Sequence, residues 1–203
     1  MLTYLNGHEV DQSISLKQLT LRTVMLLALT RPSRSADLAK LNLTGYRNTP
    51  EGAVFLPTAL AKQSRPGKEI KDFFFPKFTE NSKLCPVHSL GLYIERTREL
   101  RGGATQLFVS FIKPHNPITS STIARWLKQI MVDAGIDTGI FKAHSVRSAS
   151  TSATSTQGLT TEDILGAADW STESSFQRFY YKPVHDATFA KSVLSATKNT
   201  IDM

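Results

Sequence analysis

The segment between Ser15 and Pro32 constrains the fold more than any other part of the chain. Ser15-Leu16-Lys17-Gln18 fits a capping box, in which a serine oxygen and a glutamine side chain satisfy backbone donors that the first turn of a helix leaves unpaired. Leu16, Leu19, Thr23, Leu26 and Leu27 then recur at helical spacing. The residue before a proline avoids helical dihedrals, so the helix is expected to stop near Arg31-Pro32. Its longest apolar run, Val24 to Leu29, falls far short of the roughly 20 residues needed to cross a bilayer, and no membrane association is expected. A chain of 203 residues is long enough for one well-buried domain and short for two.

The rest of the pattern alternates helical and β-prone stretches. A short helix is expected from about Ser33 to Leu41. Val54-Phe55-Leu56 and Asp72-Phe73-Phe74-Phe75 are β-prone runs. The turn-rich, basic stretch Lys62-Gln63-Ser64-Arg65-Pro66-Gly67-Lys68 lies between them. Together they predict a small antiparallel sheet with a positively charged hairpin tip. Pro86 suits a helix first turn, and that helix is expected to reach Leu100 and end at Gly102-Gly103. Leu107-Phe108-Val109 is expected to be a short strand. Ser120 to Ala134 is amphipathic, with Ile123, Leu127, Ile130, Met131 and Ala134 on one face and Gly135 closing it. Helical pieces are expected over His144 to Thr156, Thr160 to Ala167 and Ser174 to Tyr181, with a tail helix from about Asp186 to Lys198. There is no internal repeat or composition break. The fold class expected is α+β, a mostly helical single domain over residues 1–203. Residues 1–14 form a lead-in and about 184–203 a C-terminal tail.

Several chemistries are disfavoured by composition. Cys85 is the single cysteine, which rules out an internal disulfide and a Cys-based metal cluster and fits a reducing, intracellular setting. The histidines His8, His88, His115, His144 and His185 show no i, i+4 pairing of the kind found in helical metal sites. Met1 to Val10 lacks the basic flank and apolar core of a signal peptide. The formal charge is +7, a long-range attraction for polyanions that by itself is weak evidence of nucleic-acid binding.

Three local patterns carry possible chemistry. In His144-Ser145-Val146-Arg147, His and Arg stand three residues apart on one helix face, where both can reach one phosphate. The arginine fork grips non-bridging oxygens, and the histidine donates or accepts a proton. Standing alone, the pattern reads first as a surface histidine beside an ordinary ion-pairing arginine. In Arg34-Ser35-Ala36-Asp37-Leu38, an arginine opens a helix, with Asp37 placed either to hold it or to cap the helix. In Trp170 to Tyr181, two adjacent tyrosines follow an aromatic-rich run. Such tyrosines usually pack, and a nucleophilic one needs cationic neighbours to stabilise its phenolate.

Taken in order, these residues resemble the tyrosine recombinase (phage integrase) family. The family's active site runs Arg, Lys, His-x-x-Arg, His or Trp, Tyr. The resemblance spans about Ser15 to Lys182 and is closest to the eukaryotic Crypton- and DIRS-like mobile-element branch, through Leu19 to Thr30 and Phe176-Gln177-Arg178-Phe179-Tyr180. It implies a catalytic domain that cleaves and rejoins DNA strands through a 3′-phosphotyrosyl intermediate, without cofactor or metal. Tyr180 is implied as nucleophile, with Tyr181 the alternative. Arg34 and Arg147 would hold the non-bridging oxygens, and His144 would exchange or donate a proton beside the nucleophile. Lys62, with Lys68 as alternative, would protonate the leaving 5′-oxygen. Trp170, in a position where many relatives have a second histidine, would position and pack, and Asp37 would support Arg34. The partners implied are double-stranded DNA and further copies of the chain, as a tetramer on DNA, with the tail helix a candidate docking element. The setting implied is intracellular, and nuclear in a eukaryote. The family's N-terminal core-binding domain has no counterpart in the residues before Ser15. Competing readings are a recombinase-derived DNA-binding domain without catalysis, a helix-turn-helix regulator and, more distantly, a type IB topoisomerase.

Overall fold

The computed structural model describes residues 1–57, 72–147, 149–150, 160, 163 and 193–195. Among the described residues the main elements are the helices α1 (Leu2–Asn6), α2 (Leu16–Thr30), α3 (Ser35–Ala39), α4 (Pro86–Thr97) and α5 (Ser120–Asp133) and the strands β1 (Tyr46–Asn48), β2 (Gly52–Phe55) and β3 (Phe73–Pro76). The strands form one antiparallel sheet in the order β1-β2-β3. Tyr46 stands opposite Phe55, and Phe55 opposite Phe73. The described chain is thus a mixed α+β fold with a small sheet.

The central element is α2. The Ser15 side chain accepts from the Gln18 N–H, as the cap pattern predicts, whereas the Gln18 amide oxygen accepts from the Ser15 hydroxyl rather than from a backbone N–H. The helix differs from an amphipathic one in that every residue from Leu19 to Thr30 is buried. It packs mainly against α4 and α5 and also touches α3 and β3. Its threonines tolerate this because each hydroxyl bonds one turn back: Thr20 to Leu16 O at 2.7 Å, Thr23 to Leu19 O at 2.8 Å and Thr30 to Leu26 O at 2.8 Å. The amphipathic α5 presents Ile123, Trp126, Leu127, Ile130 and Met131 to the core. Thr119 caps its start, and Gly135 follows it with a positive φ of 73°.

Four expectations are corrected. The lead-in contains a helix, α1, whose Leu5 is buried in the core. The sheet has a third strand, β1, with a mostly exposed burial pattern that gave no alternating signal. The helix from Pro86 stops at Thr97, and Glu99–Arg101 continues as a 3-10 turn. Leu107-Phe108-Val109 is buried but is not a strand, with only isolated bridges beside it, Asn42 to Gln106 and Val109 to Pro117. Side chains take up part of its backbone instead. Arg101 Nη1 donates to the carbonyls of Gln106 and Leu107, both at 2.8 Å, and the Val109 N–H donates to the Tyr93 hydroxyl at 3.1 Å. These groups are satisfied without a ladder, so the β-prone run lies as an ordered loop.

The basic hairpin tip at Lys62 and Lys68, and the pieces carrying Trp170, Tyr180 and Tyr181, lie outside the described residues. In the tail, residues 193–195 are helical, and Val193 and Leu194 are 2% and 1% exposed within the chain's own core cluster. At those two positions the tail packs on its own domain. Among the described residues, no helix is long and apolar enough to cross a membrane.

Candidate active site

The corner between α2 and α3 carries two arginines with opposite fates. Arg31 follows α2, its N–H donating to Leu27 O at 3.1 Å, before Pro32 prevents another helical turn. Its side chain turns inward and is 7% exposed, and the guanidinium carbon sits 4.8 Å from the centroid of the Phe73 ring of β3. This contact ties the corner to the sheet. Arg34, the N-cap residue of α3, is exposed. Its backbone N–H donates to Asp37 Oδ2 at 2.9 Å. Asp37 therefore caps the helix through the Arg34 backbone, the structural one of its two sequence readings. Arg34 is left with an anchored main chain and an outward side chain on a helix that packs against α5.

After α5 the chain reaches the second pair. Residues 145–147 and 149–150 are helical, and the Arg147 N–H donates to His144 O at 3.2 Å. This places His144 and Arg147 at the two ends of one helical turn, as their spacing predicts. The turn is pinned at several points. The Lys142 N–H donates to Ser145 Oγ at 3.0 Å, and Ser150 Oγ donates to Arg147 O at 3.0 Å. Val146 is 6% exposed and joins the core cluster. His144 is exposed, whereas Arg147 is half-buried with its Nε shielded from solvent. A guanidinium rooted in this way loses little side-chain freedom when it meets an anion, which favours oriented oxyanion binding.

The structure thus joins Arg34 with Asp37 and His144 with Arg147. The two pairs stand on separate segments connected through the core, by α3 packing on α5 and by Val146. Lys62, Lys68, Trp170, Tyr180 and Tyr181 belong to segments outside the described residues. Among the described residues, no group of three or more His, Cys, Asp or Glu side chains is placed to hold a metal ion.

Two arginines to whose side chains the sequence reading gave no role emerge as structurally distinctive. Arg31 had a local signal in its place just before Pro32, but the ring it lies over, Phe73, is 42 positions away in the chain. Arg22 had a stronger one, as a charge within the otherwise uncharged run from Gln18 to Thr30, and it is 3% exposed. No protein-family model matches the chain, and comparison with curated proteins gives no match either.

Proposed function

We propose that this chain is the catalytic domain of a tyrosine recombinase, similar to Crypton- and DIRS-like mobile-element enzymes, with the fold of that family. In this reading it cleaves and rejoins duplex DNA. The observation that carries the proposal is the ordered set Arg34, Lys62, His144, Arg147, Trp170 and Tyr180. The anchored His144–Arg147 turn and the basic charge of +7 are compatible with it.

The phenolate oxygen of Tyr180 attacks the scissile phosphorus as the bond to the 5′-oxygen breaks. The tyrosine becomes linked to the 3′-phosphate, and Lys62 delivers a proton to the departing 5′-oxygen. Arg34 and Arg147 carry the negative charge that spreads over the non-bridging oxygens. His144 donates to one of those oxygens or takes the tyrosine proton. Trp170 offers an indole N–H, a donor that cannot relay a proton. The phosphodiester energy is kept in the phosphotyrosyl bond, so attack by the 5′-hydroxyl of another strand completes recombination. The working form is a tetramer on DNA in an intracellular, and in a eukaryote nuclear, setting.

The test uses the full chain with a random-sequence pool of duplex DNA in the presence of EDTA. Denaturant traps covalent species, and mass spectrometry identifies the modified peptide. The expected result is a phosphotyrosyl adduct at Tyr180 that Tyr180→Phe abolishes and Tyr181→Phe retains. DNA binding without an adduct from the wild-type chain would instead support a recombinase-derived binding domain without catalysis. Absence of both overturns the proposal.

A further inference from the structure

A cavity of about 220 Å³ opens between α1, the loop that follows it, the first turns of α2 and the end of α5. It is separate from the α2–α3 corner and from the His144–Arg147 turn. Its apolar wall includes Leu5, Leu21 and Ile130, all buried. Of the two basic side chains in the lining, His8 is exposed and Arg22, 3% exposed, is buried in the wall.

The bonding of Arg22 is incomplete. A guanidinium carries five N–H donors. Nη2 donates to the carbonyl oxygen of Lys83, and Nε is buried without a hydrogen-bond partner. The nearby Glu9 carboxylate forms its ion pair with Lys83 instead. Burial lowers the Arg22 pKa to about 10, so the group stays charged at neutral pH. A buried cation on a cavity wall, with one N–H lacking a partner, favours a nearby anion, because the interior supplies too few acceptors to replace water.

The rim narrows the choice of anion. Glu9 and Asp133 both line the opening. Asp133 Oδ1 accepts from Gln129 Nε2 at 2.8 Å, which leaves Oδ2 for another donor. With the Glu9 charge offset by Lys83, the Asp133 carboxylate at the mouth is the group that disfavours a multiply charged phosphate and attracts an ammonium group. An engineered cavity of about 150 Å³ admits benzene, so this space suits a molecule of amino-acid size. From the cavity, the buried Arg22 donors and the acidic rim, we propose that this site binds a small zwitterion of the α-amino-acid class. Its carboxylate lies on Arg22, its ammonium faces Asp133, and a short apolar side chain rests against Leu5, Leu21 and Ile130.

The test is an NMR titration of the isotopically labelled full chain with L-valine, acetate and inorganic phosphate as separate probes. Valine is expected to shift the Arg22 Nε–H resonance and the backbone amides of Tyr4, Gln18 and Asp133 in a saturable way. Its affinity is expected to exceed that of acetate by about tenfold, the worth of one charged hydrogen bond. Phosphate should produce no saturable change. Asp133→Asn, at an exposed position, should weaken valine by about fivefold or more and leave acetate bound no more weakly than in the wild type. Arg22→Gln should abolish both, and if that variant fails to fold, the Asp133→Asn comparison decides alone. Absence of saturable shifts with valine, equal binding of phosphate, or indifference of valine to Asp133→Asn overturns the proposal.

Discussion

The guanidinium of Arg31 lies over the ring of Phe73, joining the end of α2 to the first residue of β3. The charge is largely withdrawn from water, where attraction to an aromatic face is worth more than at an exposed site, up to about 2 kcal/mol. Arg31→Ala and Phe73→Ala should each destabilise the fold by about 1–3 kcal/mol in urea titrations, since packing is lost along with the attraction. The double variant should cost less than the sum of the two by about 0.5–2 kcal/mol. Strict additivity would mean that the two side chains stabilise the corner independently.

Tyr93 gives a prediction with a pH signature. Its hydroxyl receives the Val109 N–H at 3.1 Å, and its ring is fully buried beside Phe108. Tyr93→Phe should leave that N–H unpaired and cost about 1–3 kcal/mol. Burial is the main influence on the phenol and pushes its pKa above the ordinary value, with the bonded Val109 backbone and the Arg101 charge acting the other way. The unfolded chain therefore loses this proton first, near pH 10. The stability Tyr93 contributes is whole below that pH and is lost as pH rises towards the folded-state value. Burial also raises Tyr4 and Tyr46, and it lowers Arg22 to about 10, which acts in the opposite sense over the same range. The comparison of wild type with Tyr93→Phe isolates one phenol. The wild type should lose stability more steeply above pH 10, and parallel curves would show that Tyr93 titrates alike in both states.

Some of this architecture is visible in local sequence, and some arises only from contact at a distance. The start of α2 was legible because its cap is built from residues three apart, Ser15 and Gln18. The face of α5 was legible because its period is local. Helix α1 has no side-chain cap and is one turn long, and its burial comes from Leu5 meeting the core. The run Leu107-Phe108-Val109 has strand composition, yet Arg101 and Tyr93 satisfy groups that a ladder would otherwise use. At the candidate site, the shared turn of His144 and Arg147 follows from their spacing. The inward turn of Arg31 does not, because an arginine is rarely buried without a partner and Phe73 belongs to another element.

Gly52 supplies a stability test of the sheet. A Cβ built on it would lie 2.3 Å from the backbone oxygen of Phe75, across the β2–β3 ladder. Backbone cannot rotate away as a long side chain can, so the strands would have to part. Gly52→Ala should cost more than about 2 kcal/mol or prevent folding, at the severe end of single substitutions. A soluble variant with an unchanged melting temperature would mean that the two strands are not held this closely. Gly91 on α4 is the control. A Cβ there meets nothing within 4 Å, and Gly91→Ala should stabilise the helix by up to about 1 kcal/mol.

Arg147 carries the sharpest prediction for the proposed chemistry. Its main chain is held from both sides, by His144 O and by Ser150 Oγ, so replacing the side chain leaves the turn in place. Arg147→Lys keeps the charge but removes the planar fork that holds two oxygens at once. If Arg147 stabilises the transition state, the rate of covalent adduct formation should fall by about 100- to 1,000-fold, the scale of losing one oriented oxyanion donor. DNA affinity should fall far less. A residue that merely neutralises a phosphate behaves differently: lysine would substitute well, and glutamine would flatten the logarithmic salt dependence of binding by about 0.9 for the one lost contact. Arg34→Lys and Arg34→Gln offer the same comparison at an exposed position, where folding is less at risk. Measured together, adduct rate and salt slope distinguish a pair of arginines aimed at a reacting phosphate from a general basic surface. A loss in the salt slope alone, with the adduct rate intact, would remove both residues from the proposed catalytic set.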